Sequence, residues 1–509
     1  MDNNNMNISR DMFEFANTGA NLHDKKLETK ARTAFQDAML RFKKNKSSVV
    51  AAYIILLLVL FSIVSPMISK YDVHYMDKLY VNMPPYIESI AKKGIGWFDG
   101  AVTRDSQNDA SMDYWAGIAQ ETGMNPVNKI ISKQVKQVKQ RGKMVENATY
   151  KIENNKYYEL GIRYRVLSYE QFEKIQQWQD ETGIQVIYPY VEPKDIMNIT
   201  NNPNIWYQVK DAKGTAAKDK DGNFIPAYST NKTIEGPEYH SIRIPGDDGS
   251  YIYSERKSGS VNCRVCYYNL YIYENGFAPE YIFGTNEKGQ DLFCAIGMGA
   301  RFSLIFAVVV ASINLTLGAI IGAIEGYYGG VIDMIVERIK EILSGIPFTV
   351  VTVLFQLHLA AKVGTVPAFL FAYILTGWIG MSGLTRTQFY RFKGQEYVLS
   401  ARTLGASDWR LMFKHIFPNS LGTIITSCAL VIPGMISSET NMTYLGIINL
   451  SEFVGTSIGE LMSMGQRAMT SAPHAMLFPA LFFSLLLIAF NLFGNGLRDA
   501  FNPTTRGVE

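Results

Sequence analysis

The sequence predicts an all-α membrane protein of six transmembrane helices, with an extracytoplasmic α+β domain inserted between spans one and two. Three observations carry this. First, six stretches contain no Asp, Glu, Lys or Arg, and each is about 20 residues long, enough to cross a hydrocarbon core of roughly 30 Å. Second, the ordinary average composition of the 509 residues, 47% hydrophobic and 19% charged, blends a strongly apolar chain with a polar, tyrosine-rich one. Third, the membrane signal stops after the first apolar stretch and resumes only near residue 303. A single soluble globule and a mostly disordered chain are both excluded, the latter by the 12% aromatic content. A net charge of +3 is too small and too scattered for a nucleic-acid surface. Four cysteines exclude a disulfide scaffold.

Residues 1–48 form a polar N-terminal segment, with Arg32, Arg41, Lys43, Lys44 and Lys46 close to the first apolar run. That run, 49–69, lacks the short leader and small-residue cleavage site of a signal peptide, so it reads as a retained span with a cytoplasmic N-terminus. The remaining spans are Ser303–Ile324, Ile342–Ala361, Val363–Thr385, Asn419–Ser438 and Pro473–Leu497. An even number returns the C-terminus to the cytoplasm. The connection 386–418 should then be cytoplasmic, and it holds six Lys/Arg against two acids. The turn around Asp333–Glu341 should lie on the same side, and Lys362 is the sole base between spans three and four.

Residues 70–281 must then lie outside, and they are numerous enough to bury a core of their own. Tyr157–Leu167, Ile184–Tyr190, Tyr251–Tyr253 and Val265–Tyr273 read as strands. Ser168–Glu181 reads as a helix, with a Ser168/Gln171 capping box and Gly183 as its stop. Lys129–Lys143 places six bases among Ile, Val and Gln; it reads as an exposed helix face, with contact to anionic lipid or polymer as the functional alternative. Asp219–Gly222 lacks full calcium-loop spacing and reads as a hairpin turn. Cys263 and Cys266 form a CxxC, for which a local disulfide and a reduced pair both fit; a zinc site would need two more ligands, and neither a second CxxC nor an HxxxH exists. Cys294 and Cys428 read as packing residues.

Glu396–Pro418 reads as helix, break, helix. Gly405 permits the turn, Ser407 or Asp408 can cap the second helix, and Trp409, Met412 and Phe413 form an apolar face. A short, basic, amphipathic helix pair suits docking into a partner's groove, and equally an ordinary loop lying on the membrane. In the spans, Gly318, Gly322 and Gly326 recur every fourth residue, giving a smooth face for a close neighbour rather than a path lining. Pro347, Pro433 and Pro479 lie mid-span and should kink their helices, as gates or as bundle-shaping bends. Glu325, His358 and Glu439 sit near span ends, where an ionisable group is either functional or reaches water.

Other segments join this loop in one ordered series: Gly284-Thr-Asn-Glu-Lys-Gly-Gln-Asp291, Gly326-Tyr-Tyr-Gly-Gly330, Ile346-Pro347, Thr376-Gly377-Trp378, Arg402 with Leu404-Gly405-Ala406-Ser407, His415-Ile416-Phe417-Pro418, and Asn491 to Ala500 followed by Asn502-Pro503. In this order they resemble the permeases of ABC importers, most of all the second, C-type permease of the oligopeptide/dipeptide family, over Tyr281–Arg506. The loop resembles that family's "EAA" coupling loop. The sequence departs in places. Leu399-Ser400-Ala401 stands where the family has EAA, Asn286 and Gln290 stand for an Asp and an Arg of the external signature, and Glu439-Thr-Asn-Met-Thr-Tyr-Leu-Gly446 stands for EAGLSFLG. Ile458 replaces a Trp, and the large insert is unusual for this subunit.

The resemblance implies a translocation subunit, not an enzyme. It would sit in a bacterial cytoplasmic membrane and pair with a second permease subunit. Two cytoplasmic ATPase subunits would dock on it, and an extracytoplasmic binding protein would deliver peptide. ATP and magnesium would bind those ATPases, with no cofactor on this chain; consistently, the chain lacks the phosphate-loop pattern GxxxxGK[ST]. Ala401, Arg402, Gly405, Ala406, Asp408, Phe413, His415 and Pro418 are the expected coupling residues, Arg402 and Asp408 making polar contacts; His415 alone reads as a packed or interfacial histidine. Related permeases carry nickel or other small solutes, which is the alternative substrate reading. A membrane sensor with an external domain fits less well, because the cytoplasmic parts are short. An ion-driven transporter would favour mid-span carboxylates and inverted repeats.

Overall fold

The computed structural model describes residues 34–94, 96–140, 143–191, 202–210, 215–229, 251–450 and 455–501. The stretch 1–33, parts of the insert and Asn502-Pro503 lie outside the described residues.

The chain begins with an amphipathic helix α1 (Ala34–Lys44) and the first apolar helix α2 (Lys46–Ile68). Asn45 separates them, its side chain accepting from the Ser48 N–H. The insert follows: α3 (Glu88–Ala91), β1 (Ala101–Gln107), α4 (Asp109–Thr122), β2 (Val127–Gln140), β3 (Lys143–Asn155), α5 (Lys156–Glu159), β4 (Ile162–Ser168), α6 (Tyr169–Thr182), β5 (Ile187–Tyr188), β6 (Ser254–Lys257), β7 (Ser260–Cys266) and α7 (Tyr267–Asn275). The remainder is helical: α8 (Leu292–Tyr328), α9 (Gly330–Ser344), α10 (Phe348–His358), α11 (Ala360–Val363), α12 (Thr365–Phe392), α13 (Glu396–Thr403), α14 (Asp408–Arg410), a π-helical turn Leu411–Ile416, α15 (Phe417–Tyr444), α16 (Ile458–Arg467) and α17 (His474–Phe501).

Among the described residues, five helices are long and apolar enough to cross a membrane: α2, α8, α12, the continuous run Asp408–Tyr444, and α17; α9 with α10 makes a sixth only if that bent pair is one span. The expected span Ile342–Ala361 is bent, as the kink expected at Pro347 implies. Gly345-Ile346-Pro347 break it, and the two helices meet at 77°. Pro347 is not mid-span but the N-cap residue of α10, where its missing N–H costs nothing. The expected turn at Asp333–Glu341 lies inside helix α9. Pro433 and Pro479 do lie inside their helices, both buried.

Small residues set the bundle's close contacts. A Cβ on Gly318, Gly322 or Gly326 would lie 2.7 Å from Met381 Cβ, 2.3 Å from the Ser382 carbonyl oxygen, and 2.5 Å from Phe389 Cβ. All three contacts are with α12, so the every-fourth-residue stripe is a packing face. Gly377 in α12 similarly makes room for the buried Asn314 side chain of α8. The outward faces keep large apolar residues exposed, such as Leu57, Met67, Ile305 and Leu477, as lipid-facing helices do.

The insert holds a three-stranded antiparallel sheet, β1-β3-β2, and a second sheet in which β7 lies between β4 and β5 and also pairs with β6. Its main core is built on tyrosine: Tyr71 stacks on Tyr281 at 4.5 Å and Tyr86 on Tyr157 at 4.4 Å. Several phenol tips find partners, as buried hydroxyls usually do, although the Tyr80 and Tyr268 hydroxyls have none among the described residues. Tyr157 donates to the Pro84 carbonyl and Tyr267 to Asp77. At its root, Asp77, Asn82 and Tyr86 donate backbone N–H groups to Gly289, Asn286 and Tyr281, joining the chain after α2 to the turn before α8.

The Ser168/Gln171 capping box and the left-handed Gly183 stop both form, and Asp219 closes its turn by accepting from Asn223. Other local readings need correction. Lys129–Gln140 lies on β2 and Lys143 on β3, two strands with twelve Cα pairs in antiparallel register. Tyr157–Glu159 is a helical turn preceding β4, Tyr251–Tyr253 is not strand, and Tyr267–Tyr273 is helix, started where the apolar run leaves β7. Of the two readings of the CxxC, the structure agrees with the reduced pair. Cys263 and Cys266 are free and buried on one strand, where residues three apart point to opposite faces and cannot bridge. Burial pushes each thiol up to about 12.

Candidate functional site

The connection between α12 and α15 contains the expected coupling residues, and its geometry follows from a few local choices. Helix α13 ends at Thr403, and Gly405 turns the chain at φ +84°, a conformation that disfavours any residue with a Cβ. The Ala406 N–H returns to the Ala401 carbonyl at 3.1 Å, closing the turn. Ser407 occupies the N-cap of the next helix, but its side chain makes no capping bond; nor does Asp408 cap, because its carboxylate is engaged elsewhere. The expected second, separate helix is instead continuous with the span: α14, the π-helical turn and α15 run as one helix from Asp408 to Tyr444. Pro418 lies inside this continuous helix just after the π-helical turn, where the regular i→i−4 ladder is already interrupted.

The inner face of this module packs on the ends of two spans. Val398, Leu411, Met412 and Ile416 are buried against Ala323 and Tyr327 of α8 and Phe389 of α12, with Ala401, Ala406 and Phe413 at the margin. Met412 thus faces inward, whereas Trp409 is 68% exposed and leans on Phe413 with ring centroids 4.0 Å apart. Leu404, at the tip, is 88% exposed. His415 is half-buried and its carbonyl accepts from the Asn419 side chain. The outward surface therefore presents Leu404 and Trp409 beside Gly405, an apolar protrusion on a basic loop.

One polar junction ties module to span. Tyr327 Oη donates to Asp408 Oδ1 at 2.5 Å and accepts from Arg402 at 3.2 Å, and the Arg402 guanidinium lies 5.7 Å from the Tyr327 ring centroid. Arg402 and Asp408, from opposite sides of the Gly405 turn, so meet on one hydroxyl. Tyr327 belongs to the Gly326–Gly330 motif, which explains that motif's composition. Gly326 lets α12 approach, while Gly329 and Gly330, at φ +65° and +58°, turn the chain from α8 into α9. Lys393 donates to the Gly326 carbonyl at 2.8 Å.

Glu325 was expected to be near a span end; it is fully buried at the foot of α8. Lys340 of α9 bonds it at 2.6 Å and Ser382 of α12 donates to it at 3.0 Å. Beside it, Arg386 makes a two-pronged contact with Asp333 at 2.5 and 2.8 Å, and Lys340 also reaches Glu337 at 2.9 Å. Helix α9 thus turns its charged stripe, Asp333, Glu337 and Lys340, inward and leaves Val331, Ile335 and Ile342 exposed. The Glu325, Asp333 and Glu337 oxygens lie within 4.8 Å of one another, but the two cations already occupy that space. Glu439, the other carboxylate expected at a span end, is also fully buried; Ser303 donates to one oxygen at 2.6 Å, and the other has no partner among the described residues. His358 is exposed at the end of α10.

The external signature forms a tight buried turn. Asn286 and Gln290 hydrogen-bond each other at 2.8 Å, Gln290 donates to the Val73 carbonyl, and Asp291 caps α8. The two departures from the resembled pattern thus form a neutral amide pair, each amide answering the other. Tyr327, Lys340 and Arg386 were not singled out as site residues by sequence reasoning. Their partners lie 81, 15 and 53 positions away, and the only local signal was the Gly326–Gly330 motif itself.

Residues 314–507 match the family described as "Binding-protein-dependent transport system inner membrane component", and residues 33–85 match "N-terminal TM domain of oligopeptide transport permease C". Most of the insert falls between the two ranges. The oligopeptide transport system permease protein OppC of Bacillus subtilis is 38% identical over 229 residues, 45% of this chain and 73% of that one. The dipeptide transport system permease protein DppC of the same organism is 37% identical over 230 residues, 45% and 70% of the two chains. OppC of Escherichia coli strain K12 is 36% identical over 225 residues, 44% and 72%. The chain therefore belongs to the binding-protein-dependent ABC transport permeases, as a C-type permease of the oligopeptide/dipeptide group.

Proposed function

We propose that this chain is one of two membrane-spanning permease subunits of an ATP-driven importer that takes up oligopeptides or dipeptides. The observation that carries the mechanism is the Tyr327 junction, on a coupling module continuous with a span. Two cytoplasmic ATPase subunits dock on the exposed Leu404–Trp409 surface and hold the ATP and magnesium. A second permease completes the pore, and an extracytoplasmic binding protein delivers the peptide. The protein lies in a bacterial cytoplasmic membrane with both termini inside and the insert outside, as the six bases of 386–418 favour.

Coupling then follows from mechanics. ATPase closure moves the Leu404–Trp409 protrusion. Because Asp408–Tyr444 is one helix, that motion enters the fifth apolar segment without an intervening loop. Tyr327 transmits the same motion to α8, and the glycine face carries it on to α12. A rigid lever needs this double attachment, because a flexible joint would absorb the stroke. The test is ATP-dependent uptake of labelled oligopeptide into proteoliposomes containing the assembled importer with its binding protein. Uptake that needs this chain supports the proposal; an importer that moves nickel or another solute but no peptide refutes the substrate assignment.

A further inference from the structure

The insert contains a cleft of about 640 Å³, within the roughly 300–1,000 Å³ typical of small-ligand sites. Arg163, Tyr164 and Arg165 are consecutive on β4, and all three line it. Successive strand residues point to opposite faces, so a cleft touched by three in a row runs along the strand's edge. β4 is an edge strand of its sheet, paired with β7 among the described residues. The Ile162 N–H bonds to Asn204 Oδ1 and the Ser168 N–H to Gln171 Oε1, neither to β7. Tyr164 and Val166 share their parity, which turns their backbone N–H and C=O groups toward the open edge.

The charge around this edge is uneven. Arg163 Nε is buried and has no hydrogen-bond partner among the described residues. The Arg165 guanidinium lies 5.7 Å from the Tyr267 ring centroid. Asp77, Lys78 and Glu274 also line it, and the Arg165 charge acts on Glu274. A strand edge left unpaired among the described residues and two neighbouring guanidinium groups together match the backbone and the carboxylate end of a peptide. Recognition through main-chain bonds is indifferent to side-chain sequence, and a guanidinium binds a carboxylate with two parallel bonds.

We propose that this cleft binds the C-terminal end of an extended oligopeptide as an added strand on β4, with Arg163 and Arg165 holding its free carboxylate. The proposal rests on the peptide-importer reading and gives the insert a part in it: a receiving site on the permease itself. The test uses the full chain in nanodiscs, titrated with tetra-alanine and with its C-terminal amide. The wild-type chain binds the free acid at least about tenfold more tightly than the amide, the loss of a charge-assisted bond. Arg163→Gln with Arg165→Gln brings the free acid down to the amide's level, and its thermal unfolding shows whether the insert is intact. Val166→Pro removes one edge N–H without touching the β7 ladder and weakens both peptides alike. A wild-type chain that binds neither peptide, or both equally, overturns the proposal, as does a double variant that still discriminates. Uptake of tetra-alanine by the assembled importer is measured in parallel. Uptake without binding at this cleft sinks the cleft proposal alone. Absence of any peptide uptake sinks the importer reading and the cleft's part in it.

Discussion

Replacing Tyr327 with Phe deletes one oxygen atom and with it the polar link between α8 and the proposed coupling module. That hydroxyl donates to Asp408 at 2.5 Å and accepts from Arg402 at 3.2 Å, while the ring remains to fill its place against Val398 and Met412. A hydrogen bond to a charged group contributes about 1.5–3 kcal/mol. Asp408 and Arg402 are both exposed, so water compensates part of the loss, and about 1–1.5 kcal/mol is the reasonable figure. The coupled arrangement should therefore weaken roughly fivefold to tenfold. The assay is ATPase activity of the purified importer with and without peptide-loaded binding protein. Tyr327→Phe is expected to keep basal hydrolysis and lose most of the stimulation. Asp408→Asn should do much the same, and the double variant should be little worse than either, since all three remove one interaction. Full stimulation in Tyr327→Phe, or strictly additive losses, would refute the junction.

The remaining predictions concern packing and the insert. Gly322→Val places a Cβ 2.3 Å from the Ser382 carbonyl oxygen, and overpacking of this kind costs about 1–3 kcal/mol; a lower detergent unfolding temperature is expected, and an unchanged one counts against the α8–α12 seam. Arg264→Met strips the buried Glu121 carboxylate of its two-pronged partner at 2.8 Å, a change worth about 3–5 kcal/mol; limited proteolysis should then cut the insert at temperatures where wild type resists. Cys263 and Cys266, with thiols pushed up to about 12, are about one part in ten thousand thiolate at pH 8. Both should resist alkylation in the folded chain and react once it is denatured without reductant, and recovery of a bridged pair would contradict the strand geometry.

Legibility in the sequence followed the range of the interaction. The Ser168/Gln171 box and Gly183 stop were readable because all the atoms involved lie within one helix's ends. The apolar helices were readable because hydrocarbon demands a continuous run. Pro347 announced a kink in the third, but not that it would reach 77° and leave two separate helices, because a charge-free stretch looks the same at any bend. Val265–Tyr273 misled because an apolar aromatic run fits a strand and a buried helix equally; here β7 supplies the first two residues and α7 the rest. Lys129–Gln140 was missed as a strand because its pairing partner, β3, supplies the register. Arg264 meets Glu121 across 143 positions, with no periodicity to announce it. At the proposed coupling module, Arg402, Gly405 and Asp408 are close in sequence and so could be read together, but their meeting point, Tyr327, lies 81 positions before Asp408.

The central claim is that an apolar tip beside Gly405 docks ATPases and couples them to peptide. It is tested most directly by purifying the tagged chain from its native membrane in mild detergent, alongside a Gly405→Trp variant, and measuring co-purified ATPase and its response to peptide and binding protein. The open space around Gly405 leaves the fold room for the larger side chain, while its φ of +84° makes the turn resist it. The account predicts that ATPase subunits accompany the wild-type chain with peptide-stimulated activity, and that the variant loses assembly or stimulation. A chain that purifies alone, or ATPases indifferent to peptide in wild type and variant alike, would contradict it.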